Sequence, residues 1–149
     1  MELSVKATKS FQNLLRKCFA TDHALVNVFH IKAGEGVKEC SNATFNTLKD
    51  LPNFTFYALY DVDHVFGYFG IEKLGENSHL TGFFIEPKYR VQEVKDWFWK
   101  QVDKRVTSEL FCGIYAKNTR ARRFLEKSGF ELVLEKHIGE NKVQQLKRK

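Results

Sequence analysis

His79-Leu80-Thr81-Gly82-Phe83-Phe84-Ile85 and Leu110-Phe111-Cys112-Gly113-Ile114-Tyr115 are two short runs rich in apolar residues, separated by a stretch of different period. Each has the length of a buried strand. Between them Val94, Trp97, Phe98, Val102 and Val106 recur at helical spacing from Gln92 onward, forming one apolar stripe. Pro87 closes the first run, because proline cannot donate a ladder hydrogen bond. Strand, helix and strand in this order predict a right-handed crossover between parallel strands. Sheets of this kind take ligands at the carboxyl ends of such strands, beside the N-terminus of the connecting helix.

Upstream, Phe54 to Tyr60 and Val65 to Ile71 flank the turn residues Asp61-Val62-Asp63-His64 and predict a hairpin. Gly75-Glu76-Asn77-Ser78 turns the chain into the run at 79–85, so three adjacent antiparallel strands are expected. Leu3, Val5 and Ala7 alternate as in a short strand. Ser10 is the predicted N-cap of a helix whose Phe11, Leu14, Leu15, Cys18 and Phe19 share one face. From Thr21 to Lys38 the period is mixed, with Leu25, Val26, Val28, Phe29 and Ile31 expected inside and Gly34 and Gly36 marking a loop. Phe45, Leu48 and Leu51 then predict a second short helix ending near Pro52.

Downstream, a helix is expected from about Asn118 to Lys127 with Ala121, Phe124 and Leu125 inward, closed by a left-handed Gly129. Phe130, Leu132 and Leu134 alternate next, Gly139-Glu140-Asn141 turns the chain, and Val143 to Leu146 is expected as an edge strand. No repeat, linker or low-complexity segment divides residues 1–149, which predicts one domain. The fold class expected is α/β (α+β), a mixed, mostly antiparallel central sheet of about six to seven strands flanked by helices.

A chain of 149 residues with 43% hydrophobic and 28% charged residues can bury a core without staples. Cys18, Cys40 and Cys112 are too scattered for a disulfide framework or a zinc site, and each reads as a small packed hydrophobe. The first residues lack a basic segment followed by an apolar run, and no stretch approaches the roughly 20 apolar residues of a membrane span. A cytoplasmic location is the expectation. The formal net charge of +6 suits a polyphosphate ligand, acidic protein or nucleic acid. For nucleic acid only the cluster Arg120, Arg122 and Arg123, placed on the outer face of its helix, speaks, and no recognised motif accompanies it.

The segment Asn118-Thr119-Arg120-Ala121-Arg122-Arg123-Phe124-Leu125-Glu126-Lys127-Ser128-Gly129-Phe130 resembles the fourth-helix signature of the GNAT acetyltransferase family. That signature runs Asn, two residues, Ala, two residues, Phe-Tyr, then Lys and a Gly-Phe step into the next strand. Ile85-Glu86-Pro87-Lys88-Tyr89-Arg90 is similar to the family's strand-four exit, and the element order fits over nearly the whole chain. The resemblance implies acetyl-CoA as cofactor and a small-molecule or protein amine as acceptor. It also implies that the loop at Arg90, Val91, Gln92, Val94 and Lys95 takes the pyrophosphate, at a helix N-terminus with unpaired N–H groups. Phe83 and Ile85 would meet the pantetheine arm through their backbone, and Asn118 would contact the cofactor or cap its helix.

Two positions depart from the family pattern. The loop's small residues are replaced by Glu93 and Lys95, where glycine would let phosphates approach the backbone. Leu125 stands where the family's helix carries a proton-donating Tyr. Tyr115 or Tyr89 is the substitute acid, and Glu86, His79 and Glu72 are the candidate bases for the amine. A catalytically degenerate GNAT-fold binding or assembly protein is the alternative, such as a phage virion-associated or head-assembly protein, which would place the chain in a virion.

Overall fold

The strands lie in the order β1-β2-β3-β4-β5-β7-β6 in a seven-stranded sheet. They are β1 (Leu3–Thr8), β2 (Phe54–Asp61), β3 (His64–Leu74), β4 (Asn77–Ile85), β5 (Leu110–Tyr115), β6 (Phe130–Ile138) and β7 (Asn141–Arg148). Among the described residues, the helices of eight or more residues are α1 (Gln12–Phe19), α2 (Val37–Leu48), α3 (Gln92–Asp103) and α4 (Thr119–Lys127). This computed structural model describes residues 1–24, 36–106, 108–139 and 141–148. The expectations for Leu25, Val26, Val28, Phe29, Ile31 and Gly34 lie outside the described residues.

β1 to β4 form an antiparallel meander, and the β4–β5 pair is parallel as the helix between them requires. On one face of the sheet α3 and α4 bury Val94, Phe98, Val102 and Leu125 against Leu59, Phe66, Phe69, Leu80 and Leu146. On the other face α1 and α2 bury Leu15, Cys18, Phe19, Cys40 and Leu48 against Phe56, Tyr68 and Phe84. Each fully buried Leu, Val or Phe contributes roughly 1.5–3 kcal/mol, so both faces are needed to hold a sheet this apolar. The stripe Val94, Phe98, Val102 repeats every four residues and fixes the rotation of α3.

Several expectations change. Ser10 does not cap α1: Phe11 occupies the cap position without a side-chain bond, and the Ser10 N–H donates to Thr8 Oγ1 instead (3.1 Å). The second helix spans twelve residues from Val37, because Gly36 opens it and the Glu39 carboxylate accepts the Gly36 N–H (2.9 Å). Strand β7 is not an edge. It sits between β5 and β6, so β6 is the edge, and Leu132, Val133, Leu134 and Ile138 remain exposed, although Leu132 and Leu134 alternate with Phe130 like a buried strand. Gly129 takes φ 97° after α4, the left-handed conformation the sequence implies.

Candidate active site

Pairing between β4 and β5 stops after Leu80 and Cys112, although both strands continue for several residues. Two features force them apart. The β3–β4 register slips between Phe69 and Ile71, and Gly82, opposite this slip, takes φ 88°, a conformation that favours glycine. Beyond the slip the Glu86 N–H donates to the Phe66 carbonyl (2.7 Å), so by antiparallel alternation the backbone groups of Phe83 and Ile85 point away from β3, into the gap. Likewise the Ala116 N–H donates to the Lys142 carbonyl (2.8 Å), which turns the backbone of Gly113 and Tyr115 toward the same gap. The cleft running through it measures about 1860 Å³. That exceeds the roughly 300–1,000 Å³ of a pocket for one small ligand.

On the α3–α4 face the first intrahelical bond of α3 is Lys95 N–H to Val91 carbonyl. The N–H groups of Gln92, Glu93 and Val94 therefore have no helical acceptor, and no side chain caps them. Lys95, Arg123 and Lys127 line the cleft on this side. The glycine-replacing Glu93 is exposed and is not among the cleft-lining residues. Side chains of Val91 and Val94 do not line the cleft either; Val91 is exposed and Val94 packs in the core. Arg90 turns inward: its Nε donates to the Ile85 carbonyl and its Nη2 to Asp22, both at 2.7 Å, and its guanidinium lies 5.6 Å over the Phe84 ring. Asn118 caps α4, its side-chain oxygen accepting the Ala121 N–H (3.2 Å), and it also lines the cleft.

The α1–α2 face carries the candidate acid–base groups. Glu72 and His79 are cross-strand partners, hence on one face, and both line the cleft. His79 stacks on Phe111 (centroids 5.4 Å apart), and Lys147 covers Phe111 in turn. Tyr115, half-exposed at the end of β5, also lines the cleft. Two other candidates are elsewhere. Glu86 is buried, with His64 Nε2 at 2.7 Å and Lys88 Nζ at 3.7 Å, and it is not among the cleft-lining residues. Tyr89 stacks on Phe66 and donates its hydroxyl proton to Asp61 (2.8 Å). That bond raises the Tyr89 phenol above its ordinary range and holds the Asp61 carboxyl below its own. Leu125 is fully buried, so no proton donor occupies that helix position.

The three arginines of α4 do not form one outward patch. Arg120 reaches Asp22 (3.4 Å), Arg122 pairs with Glu126 (3.0 Å), and Arg123 lines the cleft. Among the described residues no group of three His, Cys, Asp or Glu could hold a metal ion, and no helix is long and apolar enough to cross a membrane.

Sequence reasoning missed three site residues. Asp22 is buried and draws together two arginines that are 68 and 98 residues away. Tyr68 sits among other aromatic strand residues, where nothing marks it. Gly113 would leave an added Cβ in open space, which only the geometry of the gap reveals.

A sequence-family profile described as "Acetyltransferase (GNAT) family" matches residues 10–130. No curated protein matches the sequence significantly. Among solved structures, an acetyltransferase from Thermus thermophilus is similar with a TM-score of 0.77 and 16% identity, covering 99% of this chain and 97% of that one. The PaiA N-acetyltransferase from Thermoplasma acidophilum, in complex with coenzyme A, is similar with a TM-score of 0.70 and 12% identity over 97% and 98% of the two chains. The apo form of YjaB from Escherichia coli has a TM-score of 0.70 and 17% identity over 99% and 97%. At these identities the likeness shows the fold alone.

Proposed function

This chain belongs to the GNAT acetyltransferase family, and on that premise we propose that it transfers an acetyl group from acetyl-CoA to an amine, with the β4–β5 gap as the point of transfer. The observation that carries the reading is the gap itself, lined by described residues of both faces and rimmed by backbone groups of Phe83, Ile85, Gly113 and Tyr115.

The residues present fit the cofactor. Three N–H groups at the start of α3 have no partner among the described residues, and with Lys95 in that first turn and Arg123 lining the same cleft they suit a pyrophosphate and a further phosphate. Phe83 offers strand N–H and C=O groups to an extended amide-bearing arm; Ile85 offers its N–H, since Arg90 takes its carbonyl. Arg90 thus shapes the rim instead of reaching for phosphate, and Asn118 caps α4 at the same mouth.

When bound, acetyl-CoA supplies a thioester whose acyl carbon accepts a nucleophile. The residues of this chain must then orient an amine on the α1–α2 face, deprotonate it and return a proton to the departing sulfur. A C–N bond forms and the C–S bond breaks. His79, with Glu72 as its cross-strand neighbour, accepts the amine proton directly or through water. Tyr115 supports return of the proton from the β5 side of the gap. Protein and small-molecule amines are both acceptors compatible with a cleft of this size. No observation favours the assembly-protein alternative.

Isothermal titration with acetyl-CoA tests the reading. Binding with a Kd in the micromolar range, about −8 kcal/mol, is the expected result and justifies an amine screen. Absence of binding at millimolar ligand sinks it.

A further inference from the structure

Tyr68, on β3, stands where the β4–β5 gap begins. Its ring is stacked against Phe56 (5.0 Å, 19°) and parallel to Phe84 (6.3 Å, 12°), and Phe19 meets it edge-on. The residue is 4% exposed, yet it lines the cleft. Its hydroxyl makes no hydrogen bond among the described residues. A Cβ added to Gly82 would lie 3.9 Å from that oxygen, which places the hydroxyl over the slipped register of β4, just past the last β4–β5 pair.

A cleft-lining hydroxyl that meets no donor or acceptor among the described residues is free to serve a ligand or a mechanistic use. Burial, with Cys18 and Cys40 beside it, pushes the Tyr68 phenol far up, so it stays a neutral donor across the physiological range. The helix position that would otherwise supply a phenol is Leu125, sealed in the core.

We propose that the Tyr68 hydroxyl donates a hydrogen bond to the carbonyl oxygen of the acyl group in transfer, making β3 the source of the site's side-chain donor. The inference rests on the acetyl-transfer reading. As the C–N bond forms and the C–S bond breaks, negative charge grows on that oxygen and then passes to sulfur. A donor already fixed by its stacked ring needs no reorganisation at that moment. Tyr68 keeps its proton throughout: the amine proton leaves by His79 or water, and the sulfur is protonated from Tyr115 or solvent.

Isotope-edited infrared spectra of acetyl-CoA labelled with carbon-13 at the carbonyl, bound to the unaltered chain and to Tyr68→Phe, decide the point. Phenylalanine keeps the ring stack, so the variant's melting temperature is expected to equal or exceed that of the parent. The carbonyl stretch should lie at lower frequency in the parent than in the variant, while free CoA binds both within about twofold. With an accepted amine, kcat should fall roughly 10²–10³-fold. An identical stretch in both proteins overturns the role of Tyr68 and leaves acetyl transfer standing. Failure of the parent to bind acetyl-CoA overturns both.

Discussion

Val62 takes φ 54° in the two-residue connection between β2 and β3, with its neighbour Asp61 paired to His64 across the hairpin. A β-branched residue in the left-handed region is strained, by roughly 1–2 kcal/mol, and the Val62 side chain is exposed and offsets little of it. Val62→Gly or Val62→Asn should therefore raise stability by roughly 0.5–1 kcal/mol in urea denaturation, glycine losing part of the gain to its own entropy. Destabilisation by both would show that no strain is stored there. Asp61 offers a second residue-scale test. Its carboxyl is held below the usual 3.8 by the Tyr89 hydroxyl and the Glu2 N–H, so its contribution is present above that value and lost as pH falls through the lower folded one. The Tyr89 phenol is raised above 10.0 by the same bond, so that contribution is present below 10 and lost as pH rises through the folded value. Asp61→Asn should flatten both the acid and the alkaline arms of melting temperature against pH. Unchanged slopes would mean that the bond does not persist in solution.

Asp22 joins three elements that sequence separates widely: the end of α1, the exit of β4 through Arg90, and the start of α4 through Arg120. Its side chain is 4% exposed, against 23% for Arg90 and 64% for Arg120. Removing the buried charge leaves Arg90 without its counter-ion, so Asp22→Asn should cost about 2 kcal/mol, below the range for a fully buried pair because Arg90 keeps some water. Arg120→Ala should cost under about 0.5 kcal/mol, as an exposed contact does. Equal costs would show that the clamp is shared evenly. Elements of this kind explain what the sequence carried. The parallel pair of β4 and β5 was legible because one stripe, Val94 to Val102, leaves a single way to connect two apolar runs. The helix with Asn118 at its cap and Gly129 after its end was legible from local chemistry. Strand β6 was not, since alternation of Leu132 and Leu134 states a period but not what covers the face. Within the site, His79 and Glu72 were visible as strand-end polar residues. The inward turn of Arg90 and the burial of Glu86 depend on Asp22 and His64, partners that no local pattern names.

The net charge of +6 is a property of the whole chain, but its effect depends on where the cations stand relative to the cleft. Lys95, Arg123 and Lys127 line the α3–α4 side, where Asp96 is occupied by the Gln92 amide (2.8 Å) and Glu93 is not among the lining residues. The α1–α2 side is lined by Glu39, Glu72 and His79, and by Asp22, whose charge Arg90 and Arg120 balance. On the acetyl-transfer proposal these cations would draw a polyanion to the α3–α4 mouth, while Glu39 and Glu72 would favour a cationic amine on the other side. The long-range part of this attraction is screened by salt. CoA affinity should fall roughly tenfold as ionic strength rises from about 0.05 M to about 0.5 M. S-acetyl-pantetheine, which lacks the phosphates, should show almost no such dependence. Single variants then separate the two residues that replace the family's glycines. Lys95→Gly should weaken CoA binding roughly fivefold and shallow its salt dependence, because a charge-assisted contact is lost. Glu93→Gly should change it less than about twofold, since Glu93 is exposed and does not line the cleft. Tighter binding on removal of Glu93 would mean that the carboxylate does face the ligand and that the loop is closed by charge. Salt-independent binding of CoA would place the phosphates away from the α3 N-terminus altogether.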